Sequence, residues 1–78
     1  MQFPSEARVK RVKSEFQKGT RVECVRLNDP WSPIHPGEKG TVDLVDDVGT
    51  IHIRWDSGRY LGAVLGEDKV MAIKEEEA

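Results

Sequence analysis

The sequence predicts a mainly β fold class, one short N-terminal helix followed by five short strands. Three observations predict it. Apolar residues recur at helical spacing only before Gly19. From Thr20 onward they recur at a period of two. Turn-forming residues then interrupt that second stretch at 28–38, 46–49, 56–58 and 65–68.

Pro4 and Ser5 open the helix, because proline suits the first helical turn and serine is a good N-cap. Val9, Val12 and Phe16 follow as one narrow stripe, suited to packing on a sheet. Arg8, Lys10, Arg11, Lys13 and Lys18 occupy much of the remaining circumference. Gly19 suits the left-handed residue that ends a helix, so the helix is expected over 4–18 and the strands over about 20–73.

In the first strand Val22 and Cys24 alternate with Arg21 and Glu23, and the phase slips near Val25 and Leu27, as a bulge would cause. Residues 28–38 hold Pro30, Pro33 and Pro36, too many prolines for a strand interior, and are expected as a long loop. A second strand over 39–46 turns Val42 and Leu44 inward, and a tight turn follows at 46–49. Over 50–55, Ile51, Ile53 and Trp55 share one face, with His52 and Arg54 on the other. Asp56, Ser57 and Gly58 suit a hairpin with a G1 bulge. In that turn the Asp56 carboxylate is expected to bond the following amides. The fourth strand is expected over 59–64, a 3₁₀-type connector over 65–68, the fifth strand over 70–73 and a disordered acidic tail over 74–78. Five short strands with one long first loop and two tight hairpins describe an SH3-like small barrel. Its expected core is Val9, Val12, Phe16, Val22, Cys24, Val42, Leu44, Ile51, Ile53, Trp55, Leu61, Val64, Val70 and Ile73.

Seventy-eight residues make one small domain, with little chain to spare for a deep pocket. Cys24 is the only cysteine, so neither an intrachain disulfide nor a thiolate zinc site can form. With no apolar run among the first twenty residues, and nothing as long as a membrane span, a cytoplasmic location is expected. The net charge of −2 divides into +4 over residues 1–27 and −6 over residues 28–78. Such a basic front and acidic body are what two electrostatic faces require, although ordinary solvated surface charge also gives them.

The segment Pro36-Gly37-Glu38-Lys39-Gly40-Thr41-Val42, followed by Ile51-His52-Ile53-Arg54-Trp55-Asp56-Ser57-Gly58, resembles an uncharacterised bacterial family, the domain of unknown function 4314. The resemblance extends back through Asn28-Asp29-Pro30-Trp31 and Lys18-Gly19-Thr20-Arg21-Val22 to Phe3-Pro4-Ser5, covering roughly residues 3–73. It implies a helix plus a small barrel and no established activity. More distantly, Gly40-Thr41-Val42 and the strand ending in Trp55-Asp56-Ser57-Gly58 are similar to KOW-type modules and mind-bomb-type recognition domains. That likeness is structural, and such barrels serve many partners.

Trp31 is the most suggestive residue for function. Between Pro30 and Pro33 in the longest loop, it is either a rigid anchor for a partner or a cap over the open end of the barrel. A domain this short of core favours the cap. Tyr60 either lines a groove with Trp31 or packs against Phe16 under the helix. A protein or peptide partner would meet Asn28, Asp29, Trp31, Ile34, His35 and Tyr60. The alternative partner is nucleic acid, held by Arg8, Lys10, Arg11, Lys13, Arg54 and Arg59, with Glu6 and Glu15 diluting that field. A solvated helix surface is the plainer reading of the same cations. His35 and His52 lack a fixed spacing to carboxylates, so no metal, cofactor or catalytic constellation is expected. The chain therefore reads as a non-enzymatic binding module. Open edge strands also permit a role inside a homo-oligomer.

Overall fold

Ser5 caps the first element: its hydroxyl accepts the Arg8 backbone N–H at 3.2 Å, satisfying a donor the helix cannot. The computed structural model describes residues 5–28, 31 and 33–74, and α1 spans Glu6–Glu15. Pro4 and residues 75–78 lie outside the described residues. Val9 and Val12 turn one side of α1 into the core, with Phe16 buried just beyond its end.

The helix is shorter than 4–18 for a physical reason. Gly19 donates its N–H to the Val42 carbonyl at 2.8 Å, and Val42 donates back to Thr20 at 2.9 Å. Pairing with the sheet draws the chain off the helix axis, and Phe16 already has non-helical backbone angles. Gly19, at φ +91°, therefore serves a turn closed by the Thr20 N–H to the Gln17 carbonyl, not a helix end.

The strands are β1 (Arg21–Arg26), β2 (Lys39–Val45), β3 (Ile51–Trp55), β4 (Tyr60–Ala63) and β5 (Lys69–Ala72). They form one antiparallel sheet in the order β4-β3-β2-β1-β5, which makes β4 and β5 its edges. The expected slip in β1 is present as a register shift between Cys24 and Arg26. A second shift, between Val42 and Leu44 in β2, was not anticipated. There Asp43 is the extra residue. Beyond it Leu44 sits opposite His52 and faces out, 47% exposed, while Val45 takes the inward place against the core. Leu44 is thus not a core residue.

Val64 is the second correction. Leu61 and Ala63 of β4 alternate inward, opposite Ile53 and Ile51, so Val64 falls on the outward phase and is 46% exposed. The connector at 65–68 is a turn that keeps the expected 3₁₀-type bond: the Val64 carbonyl accepts the Glu67 N–H over three residues at 3.1 Å and the Asp68 N–H over four residues at 2.8 Å, with Gly66 at φ +91°.

The core gathers Val12, Phe16, Val22, Cys24, Ile34, Val42, Ile51, Ile53, Trp55 and Ala63, with Leu61 and Val70 half-buried against it. Ile73 is half-buried. Trp55 lies at the centre, and its indole N–H donates to the Leu61 carbonyl at 3.1 Å, which satisfies the ring's polar atom inside the apolar cluster.

Candidate functional site

The loop between β1 and β2 is tied down at both feet. At its start the Asn28 N–H donates to the Asp68 carboxylate at 2.7 Å. At its end Gly37 donates to the Cys24 carbonyl, and Cys24 donates to the Glu38 carbonyl, both at 2.8 Å. The His35 N–H bonds the Glu38 carboxylate, closing the last turn. Between the feet, Ile34 inserts into the core.

What this anchoring leaves outside is Trp31, 90% exposed. The expectation that Trp31 caps the open end of the sheet is corrected: Ile34 takes the inward position. For the same reason Ile34 leaves the expected contact set. Asn28 and His35 are exposed beside Trp31 in the loop, and Asp29 lies outside the described residues.

Tyr60 is engaged with residues of β2 and β3. At 51% exposure it is not under the helix, and its hydroxyl donates to the Asp43 carboxylate at 2.6 Å. Its ring centroid stands 6.2 Å from that of His52. His52 in turn meets Asp46 at 2.9 Å, and the other Asp46 oxygen accepts the Val48 and Thr50 backbone N–H groups, holding the β2–β3 turn. The sequence reading missed this cluster. Its signal was present in β4, where an inward Leu61 forces Tyr60 outward, opposite Arg54.

Hydrogen bonding sets the electrostatics here. The Tyr60 hydroxyl holds the Asp43 carboxyl below its ordinary value, and Asp43 in turn pushes the Tyr60 phenol up. Burial pushes Asp46 up, but the bonds from His52, Thr50 and Val48 outweigh it and leave the carboxyl lowered. Asp56 is lowered by Arg21, which grips both of its oxygens at 2.7 and 2.6 Å and also donates to Thr41 at 2.9 Å. This clamp replaces the expected role of Asp56 as a partner of its own turn amides. Burial pushes the Cys24 thiol up, with Glu38, Asp68 and Glu23 adding to the effect. Such a thiol is a poor nucleophile.

The expected nucleic-acid residues lie on three elements of the chain. Arg8, Lys10 and Arg11 are exposed on α1, which rests against β2. Lys13 is engaged with Asp47 at 2.7 Å. Arg54 and Arg59 are exposed on β3 and the hairpin after it. Among the described residues no group of three or more His, Cys, Asp or Glu side chains is placed to hold a metal ion. Nor is any helix among them long and apolar enough to cross a membrane.

An N-terminal helix on a single five-stranded antiparallel sheet, with an anchored tryptophan-bearing loop, defines a small mainly β domain. Residues 5–73 match the family model described as a domain of unknown function (DUF4314), and the chain belongs to that family. Neither a curated protein nor a solved structure matches the chain.

Proposed function

We propose that the chain is a non-enzymatic binding module of the SH3-like small-barrel kind, working in a bacterial cytoplasm and meeting a protein or peptide partner through the loop of residues 28–38. The barrel reading is supported by the strand order, which places β1 between β2 and β5 and brings the chain's first and last strands together. The partner reading rests on one observation above all: Trp31 is 90% exposed on a loop whose two feet and Ile34 are fixed. A large exposed aromatic on a loop anchored at its feet has the character of an interface anchor. Asn28 and His35 supply polar contacts at its sides.

Nucleic acid is the competing partner, and the exposed row Arg8, Lys10 and Arg11 is the observation that favours it. Against it, Lys13 is committed to Asp47, and Asp43 lies within electrostatic reach of Arg54. The two readings separate by salt. Phosphate contacts release counterions and weaken steeply as salt rises, whereas an aromatic anchor does not. Partner capture by immobilised protein, compared between wild type and Trp31→Ala at low and moderate salt, is the test. Protein capture that survives salt and vanishes with Trp31→Ala supports the proposal. Capture of nucleic acid that fades with salt and ignores Trp31 overturns it.

A further inference from the structure

Lys69 of β5 stands directly opposite Arg26 of β1 in the antiparallel register. Like charges at directly opposed positions destabilise a strand pair, so this arrangement works against the fold. Both side chains line a cleft of about 300 Å³, joined there by Arg8 from α1. Its floor is apolar, built from Phe16, Ile51, Ala63 and Val70. Among the described residues the lining holds one carboxylate, Asp68. Its two oxygens accept the backbone N–H groups of Asn28 and Val64, each at 2.7 Å. Three cations thus gather over an apolar floor in a chain whose net charge is −2.

We propose that this cleft docks a short acidic segment of a protein partner. One apolar side chain would rest on the floor, and flanking carboxylates would sit among Arg8, Arg26 and Lys69. The opposed Arg26 and Lys69 give the charge complementarity, since an anion between them removes their mutual repulsion. An extended peptide fits better than a compact anion because the lining draws on β4 and β5, the two edge strands of the sheet. Their outer edges can hydrogen-bond an added backbone. The cleft shares no lining residue with the loop contacts Asn28, Trp31 and His35, so the two proposals are tested separately.

The probe is a short fluorescent peptide with one central phenylalanine flanked by glutamates, followed by anisotropy and by amide shifts of the labelled protein. The comparison peptide carries lysines in place of the glutamates. Arg26 and Lys69 are exposed, so the double variant Arg26→Glu with Lys69→Glu keeps its fold, and its melting temperature checks this. The expected result is saturable binding of the acidic peptide with shifts at Ala63, Lys69 and Val70. The double variant should weaken it by about tenfold, the sum of two reversed exposed charge contacts, and Trp31→Ala should leave it unchanged. Equal binding of the lysine peptide, undiminished binding by the double variant, or no shifts at the cleft would overturn the proposal.

Discussion

Trp31 and Ile34 share one loop and point in opposite senses, 90% and 4% exposed respectively. The isoleucine is the loop's foothold in the core and the tryptophan its projecting tip. Truncating each should therefore separate stability from contact. Ile34→Ala should cost about 2–5 kcal/mol by denaturant unfolding, as for other buried isoleucines. Trp31→Ala should change stability by less than about 0.5 kcal/mol, as exposed substitutions do. Fluorescence gives a second check, because the chain has two tryptophans and Trp55 is 1% exposed. With Trp31→Phe the remaining emission should resist an aqueous quencher. Ready quenching in that variant would place Trp55 outside the core.

Gly40 is confined by its neighbours. A methyl group there would lie 2.7 Å from the Ile53 Cγ2, 2.9 Å from the Arg54 carbonyl oxygen and 3.0 Å from the Trp55 Cα. Two of these three atoms are backbone, so the clash cannot be relieved by a rotamer change. Gly40→Ala should destabilise the domain by about 1–3 kcal/mol, the usual cost of overpacking. A neutral Gly40→Ala in urea unfolding would contradict the β2–β3 packing.

The Tyr60–Asp43 bond makes a titration prediction with a defined sign. Tyr60 is the chain's one tyrosine, so ultraviolet absorbance of the phenolate reports it alone. It should ionise above the usual value of about 10, and Asp43→Asn should bring it back down. A raised folded-state value means that stability from this group is complete below about pH 10 and is lost as pH rises through the folded value. The carboxylates act in the other direction. Asp43, Asp46 and Asp56 are lowered, so their stabilisation is present above about pH 3.9 and is lost as acid takes the protein through their lower folded values. Melting temperature against pH checks both arms. An unchanged phenolate titration in Asp43→Asn would remove the pair from the account.

Cys24 is 1% exposed, and burial pushes its thiol up. It should react with a water-soluble thiol reagent only when the domain opens, at a rate that rises with denaturant. Fast stoichiometric labelling in native buffer would contradict its place in the core.

The regular parts of this fold were legible in the sequence. Ile51, Ile53 and Trp55 alternate without interruption, and β3 lies within a residue of the expected bounds. The bulge in β1 was legible because two apolar residues, Val25 and Leu27, break the period. The bulge in β2 was harder to see: Val42 and Leu44 preserve a perfect alternation, and only Val45 beside Leu44 hints that the phase changes. The direction of Trp31 was not legible, because its loop contains two large apolar residues competing for one inward place. Ile34, next to the fixed turn at Gly37, won that place. The Arg21–Asp56 clamp joins residues 35 apart in the chain, and no local pattern announces such a pair.

The most direct measurement of the central claim is site-specific photo-crosslinking in cells. A photoreactive residue replaces Trp31 in one protein and Ser57, exposed in the β3–β4 hairpin, in another. The account predicts a discrete protein adduct from position 31 that is absent from position 57. Adducts equally strong at both positions, or none above background at 31, would contradict the loop as the partner-binding surface.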